Sequence, residues 1–362
     1  MTRHDLRRTA RKDLTMSTLP VGRRGLFLGA GSLLATGLLA ACGSEPTPPA
    51  APPTGKELAE PAPAQTTGQI TAIVPEVNAA VAAADKALDP KKLGPRVSGS
   101  AVKFRTAAYE MIGRAKEWKE ELRVPGAKLL VPLTSLSEEF PRVSIALVED
   151  SAKEGVPYFL ALQQADAKSG YTTWGWAQQA VGVEMPMVPD AAVGSEQVTA
   201  DAEGLVMTPK KALELYAAVL SNGAESDPDG QLGANPFQTA THERIQTERK
   251  ELNAGVEKDE AATIHEKFSV NTEEFVGLRT DDGGAIVMGT LTSSRKVAIK
   301  DGAKVSYAED NAYTKVIGKK EFSSEFVRTY GTHVAMYLPS ADAGGKVQPI
   351  GATQTALGAS GK

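Results

Sequence analysis

The sequence predicts an α+β protein of two tandem domains, each with an N-terminal helix or helices packed on a curved antiparallel sheet. Three observations carry that prediction. Apolar residues recur at three- and four-residue spacing over residues 70–88 and again after Thr208-Pro209, so each half opens with an amphipathic helix. The stretches 124–183 and 284–356 are instead short alternating or apolar runs broken by Gly, Pro and charged turns, the pattern of antiparallel strands. Residues 159–182 also align without gaps on residues 335–358. Leu162, Ala165, Asp166, Ala167, Gly175, Gln178, Ala180 and Gly182 match Leu338, Ala341, Asp342, Ala343, Gly351, Gln354, Ala356 and Gly358, 8 identities in 24. One closing hairpin used twice explains such a repeat.

Composition narrows the function. With 41% hydrophobic and 23% charged residues in 362, the chain can bury a core of about two ordinary domains. The net charge of −4 argues against a nucleic-acid partner, which calls for a basic face. A single cysteine excludes an internal disulfide framework and a cysteine zinc site.

Residues 1–41 read as a signal peptide. Arg23-Arg24 precedes an apolar run, 26–41, of 16 residues, short of the roughly 20 that span a bilayer. Gly29, Gly31 and Gly37 weaken it further as a helix. The sequence Leu39-Ala40-Ala41-Cys42, followed by Gly43-Ser44, resembles the lipobox of bacterial lipoproteins. That resemblance implies cleavage between Ala41 and Cys42, a diacylglyceryl group on the Cys42 thiol, and anchoring to membrane lipid on the extracytoplasmic face of the cell membrane. Arg23-Arg24-Gly25-Leu26-Phe27-Leu28 resembles the twin-arginine export motif, with an ordinary Sec signal as the competing reading. Met16 opens a conventional signal front and is a second candidate start.

Residues 42–68 read as a tether after the anchor. Seven prolines lie between Pro46 and Pro63, without an aromatic residue, a composition that favours extended polyproline II over a packed core.

The first domain is assigned to residues 69–188. Its helix over 70–88 carries Pro75 in the first turn and ends at Asp89-Pro90. In the segment 100–122, Val102, Phe104 and Thr106 alternate as in a strand, with a helix as the alternative. Strands follow at 128–133, 142–148, 158–164 and 172–183. Residues 189–205 form the linker.

The second domain covers 206–358. Thr208 caps a helix with Pro209 at its first position and Leu213, Tyr216, Ala217 and Leu220 on one face, stopped by Asn222-Gly223. A charged helix at 241–252 precedes strands at 285–291, 297–299, 305–307, 313–317, 322–327 and 333–338. Residues 359–362 are expected to be a flexible tail. The architecture resembles tandem NTF2-like or cystatin-like domains. The chain as a whole is similar to secreted actinobacterial lipoproteins whose folded region has no assigned function, a resemblance that carries no catalytic residue across.

Chemistry-bearing patterns are sparse. His242, His265 and His333 lack metal-ligand spacing, and no metal or cofactor is expected. Ser100-Ala101-Val102-Lys103 fits S-x-x-K and Lys168-Ser169-Gly170 a loose K-[ST]-G, but S-x-x-K recurs at Ser293–Lys296 and no S-D-N-like element lies between. Trp174 and Trp176, two apart in a strand, should face one side and could form a stacking platform for a sugar or apolar ligand. Core filling is the competing reading. Trp118, set among charges, is a candidate partner contact.

The expectation is therefore a non-enzymatic, membrane-anchored envelope lipoprotein that binds a small ligand or an envelope protein. A solute-binding lipoprotein of an ABC transporter, which would show β-α-β units and a parallel sheet, and an envelope hydrolase are the alternatives.

Overall fold

The structure is a computed structural model and describes residues 61–136, 139–152, 155–307 and 309–362. It is α+β, with two helix-on-sheet halves in succession. In the first half, helix α1 (Thr67–Ala87) starts from a capping box between Thr66 and Gln69 and ends at Leu88 in the left-handed region. Ile70, Val74, Val77, Val81 and Ala84 form its buried stripe. Pro75 lies inside the helix rather than in its first turn, on the exposed face, because capping at Thr66 starts the helix earlier than the apolar pattern does.

Helix α2 (Gly99–Arg114) replaces the strand expected there. Its buried face runs Ser100, Ala101, Phe104, Arg105, Ala108, Tyr109, Met111 and Ile112. Two polar residues in that face mask the helical period in the sequence. Strands β1 (Pro125–Thr134), β2 (Arg142–Asp150), β3 (Tyr158–Gln164) and β4 (Thr172–Gln178) then form an antiparallel meander in sequential order.

The second half repeats the plan with longer strands. Helix α3 (Pro209–Asn222) is capped by Thr208 and stopped by Gly223 at φ 87, as expected. Helix α4 (Pro236–Leu252) follows, capped by Asn235. The sheet has the order β10-β9-β6-β5, with β5 (Ala262–Arg279), β6 (Ala285–Ile299), β9 (Glu325–Leu338) and β10 (Gln348–Gly361). Between β6 and β9 the chain makes an excursion through β7 (Val305–Ser306), helix α5 (Ala312–Ile317) and β8 (Glu321–Phe322).

Residues 313–317 are thus helical, not a strand. The Asn311 side chain accepts from the Tyr313 and Thr314 N–H groups, and Gly318 closes the turn at φ 82, so both caps outweigh the β-branched composition. β5 escapes the sequence pattern because charged Glu266 occupies one of its inward positions.

Every pairing between these strands is antiparallel, unlike the parallel sheet of the solute-binding alternative. The two repeated segments are the closing hairpins of the two sheets, β3–β4 and β9–β10.

Each sheet is covered twice. Ala146, Val148, Leu160 and Leu162 pack under α1 and α2, and Val287, Leu291, Val334 and Met336 under α3. The alternate residues of the same strands, Val143, Ile145, Phe159, Ile286, Met288 and Ala335, meet in one shared core between the sheets. Strands buried on both faces read as continuous apolar runs.

The sheet edges are stitched together. On one side Ala180 donates its N–H to the Ile350 carbonyl at 2.7 Å, joining β4 to β10. On the other, the expected linker is an ordered strap. Ser195 N–H reaches the Thr134 carbonyl of β1 at 2.8 Å, and Val198 N–H the Gly277 carbonyl of β5 at 2.9 Å. The end of the expected tether also joins the fold: Ala64 N–H donates to Ser135 at 2.7 Å and Gln65 is buried. Residues 359–362 are not a loose tail, since β10 pairs through Gly361 and Lys362 N–H donates to the Glu325 carbonyl at 2.9 Å. Among the described residues no helix is long and apolar enough to cross a membrane.

Candidate functional site

Of the residues singled out in the sequence, Arg23, Arg24, Ala41 and Cys42 lie outside the described residues. Trp174 and Trp176 lie inside them but do not share a face. Thr173 pairs with Leu162 and Gly175 with Ala161, so Trp174 is an extra residue, a bulge that shifts the alternation. Trp176 turns toward α1 and α2, where its indole N–H donates to the Arg123 carbonyl at 3.1 Å and Arg105 lies 5.2 Å from its ring centroid. Trp174 turns into the core between the sheets. Each is 3% exposed, so neither offers a stacking face to a ligand.

Both rings flank His333, at 6.1 and 6.0 Å between centroids, and Phe104 stacks on it at 4.9 Å. Gly175 makes this possible, since a Cβ there would stand 2.6 Å from the imidazole. His333 Nε2 lies 2.9 Å from Ser100 Oγ. A buried serine–histidine pair invites a catalytic reading, but the hydrogen bonds oppose it. Trp176 N–H points at Nδ1 at 3.4 Å, which places the ring proton on Nε2 and makes the imidazole a donor to Ser100. Ser100 in turn donates to the Trp174 carbonyl at 3.0 Å. A general base would have to accept the serine proton at that same nitrogen. Burial, with the nearby Arg105 cation, holds the His333 pKa down at about 3, so the ring stays neutral.

The cluster is a structural joint. In β5, Thr272, Glu273 and Glu274 bulge out of the ladder. Glu274 accepts the Ser100 N–H at 2.6 Å and the Thr290 hydroxyl at 2.8 Å. Ser98, the first cap of α2, makes no side-chain cap bond, so this carboxylate from the second half caps the helix of the first. Arg105, one turn on, is buried with Asp85 at 3.4 Å, and Tyr109 donates to the same carboxylate at 2.6 Å. Burial raises the Asp85 pKa despite the guanidinium.

His242 and His265 lie on α4 and β5, away from His333, and among the described residues no group of three or more His, Cys, Asp or Glu could hold a metal ion. Ser100 and Lys103 fall on α2, Lys168-Ser169-Gly170 in the β3–β4 turn and Ser293 on β6. No side-chain hydrogen bond joins these motifs to one another among the described residues.

An open cavity lies elsewhere. The end of α2, the 3-10 turn Lys116–Glu121, α4, α5 and the outer parts of β9 and β10 enclose about 330 Å³. Its aromatic wall is Trp118, Phe237, Tyr313 and Tyr330. Trp118 meets Tyr313 edge-on at 4.9 Å, and the Tyr313 and Tyr330 hydroxyls are 2.8 Å apart. Burial and the neighbouring phenol push the Tyr313 pKa up, which keeps its hydroxyl protonated.

Two arginines hold these rings from beside. Arg328 lies 5.2 Å from the Tyr313 centroid and Arg295 5.3 Å from that of Tyr330. Glu266 holds Arg295 at 2.7 Å and also accepts the Ser293 hydroxyl at 2.6 Å, while Glu248 of α4 pairs with Arg328. Arg244, also on α4, lines the cavity and has no hydrogen-bond or ion-pair partner among the described residues.

Of these residues the sequence singled out only Trp118. Tyr313 was hidden in a misread strand, and Tyr330 and Arg244 come from distant segments with no shared spacing.

Compared with known proteins, residues 61–361 match the family model described as a domain of unknown function, DUF8094. The chain belongs to this family. The match runs through both helix-on-sheet halves and includes the cavity as well as the Ser100–His333 joint. No curated protein and no solved structure matches the chain.

Proposed function

We propose that this chain is a membrane-tethered envelope lipoprotein that acts by binding a small ligand, and that the cavity beside Trp118 is its binding site. The observation that carries the reading is the cavity itself. It joins an aromatic wall to an unpartnered guanidinium, and its 330 Å³ falls in the range of small-molecule sites. The lipobox-like Leu39-Ala40-Ala41-Cys42 supports the tether, and the proline-rich stretch after it supports presentation of the folded part away from the bilayer. Binding is favoured over catalysis because the one serine–histidine pair described above is sealed and carries its proton on the wrong nitrogen for a base.

A fragment screen read by thermal shift tests the site. Ala356 lines the cavity from β10, so Ala356→Trp should plug it. Fragments that raise the melting temperature of the wild type should leave the plugged variant unmoved. Equal shifts in both proteins would place the ligands elsewhere and refute the proposed site.

A further inference from the structure

Resting on the cavity as the binding site, we infer that its ligand is a carboxylic acid with a compact, ring-bearing apolar body, its carboxylate held by Arg244. Hydrogen-bonding capacity around the cavity is lopsided. Trp118 Nε1 and Gln354 Nε2, both in its walls, are buried donors without an acceptor. Arg295 Nη2 and Arg328 Nε, beside the tyrosine rings, are in the same condition. No side-chain acceptor atom of the lining is buried and unsatisfied among the described residues.

The tyrosine pair adds one free donor, and its oxygens keep lone pairs as well. Two hydroxyls 2.8 Å apart use one proton between them and leave the other to be accepted. Arg244 adds a full positive charge and a planar fork of N–H groups that fits a carboxylate with two parallel bonds. A cationic ligand would find a single carboxylate in the lining, Glu121, which is exposed as Arg244 is, and no buried side-chain acceptor left unsatisfied beside it.

The rest of the wall is apolar. Met111 and Leu122 face the space beside Phe237 and Trp118, a surface suited to a ring packed edge or face on. An acid with such a body satisfies both sides at once, the ring against the wall and the carboxylate on the Arg244 guanidinium.

Isothermal titration of the full chain with 2-naphthoate, 2-naphthamide and 2-naphthylmethylammonium tests the inference. These probes share one ring system and differ in charge. Naphthoate should bind one to one and about tenfold or more tighter than the amide, the size of a charge-assisted contact. The ammonium compound should bind most weakly. Arg244→Gln should lower naphthoate to the level of the amide and leave the amide unchanged. Amide or ammonium binding as tight as naphthoate, or naphthoate binding indifferent to Arg244→Gln, overturns the ligand class while the cavity stands. If none of the three binds but fragments blocked by Ala356→Trp do, the ligand class is again wrong and the cavity right. If those fragments are missing too, both fail.

Discussion

His333 should make this protein acid-labile in a way that one substitution can isolate. Its imidazole is enclosed by Phe104, Trp174 and Trp176, donates to Ser100 and faces the Arg105 cation; burial first, and that cation second, hold its pKa down from 6.5 to about 3. In the unfolded chain the ring returns to its ordinary value. Between pH 6.5 and about 3 the unfolded state therefore binds a proton that the folded state refuses, and stability falls as pH falls. The contribution is complete above pH 6.5, is lost progressively through that window and is level below it. At about pH 4.5 two pKa units of the gap have been crossed, a loss of about 3 kcal/mol at 1.36 kcal/mol per unit.

Urea unfolding of the wild type and His333→Gln at neutral pH and at about pH 4.5 measures it. The variant starts lower because its amide fits the ring site poorly. Its loss on acidification should nevertheless be smaller than that of the wild type by about 3 kcal/mol. Other titrating groups, including Asp85 with its raised pKa, act in both proteins and cancel in the difference. Parallel pH dependences in the two proteins would refute the argument that His333 is buried neutral.

Glu274→Ala removes the carboxylate that accepts the Ser100 N–H at the start of α2 and should cost about 1–2 kcal/mol in urea unfolding, with Glu274→Gln in between; an unchanged midpoint would show that the cap contributes nothing. Glu266→Leu leaves Arg295, 1% exposed, without its main partner and should destabilise by about 3–5 kcal/mol, whereas Glu266→Leu with Arg295→Met should recover most of that loss. A double variant no more stable than the single one would mean that the pair is not the reason for the cost. Cys42→Ser should release the protein from the membrane fraction on cell fractionation, since each buried acyl methylene contributes about 0.8 kcal/mol to anchoring. Retention equal to the wild type would remove the lipid anchor from the proposal.

Elements with local signals were legible in the sequence. Thr208-Pro209 and Asn222-Gly223 bracket α3, and β3 spans the residues its apolar run announces. Where a local signal was overridden, the cause is a contact from far along the chain. α2 reads as a strand because Ser100 and Arg105 interrupt its apolar face, and their partners, Glu274, His333 and Asp85, lie 174, 233 and 20 residues away or more. β5 is disguised by Glu266, which is tolerable inside only because β6 supplies Ser293 and Arg295. The tryptophan platform failed for a smaller reason. Alternation assigns Trp174 and Trp176 to one face only while the ladder is regular, and the bulge opposite Ala161 and Leu162 belongs to the pairing of two strands rather than to either alone.

The sequence by itself determined the α+β class and the order of most helices and strands, because capping, periodicity and turn chemistry act over a few residues. Tertiary structure alone decided that the two sheets share a core, that the strap 193–198 closes one edge, that His333 is sealed, and that Trp118, Arg244, Tyr313 and Tyr330 surround one cavity. Those outcomes depend on which faces meet and which buried donors find acceptors, and residues more than 200 positions apart come into contact only once the core has closed.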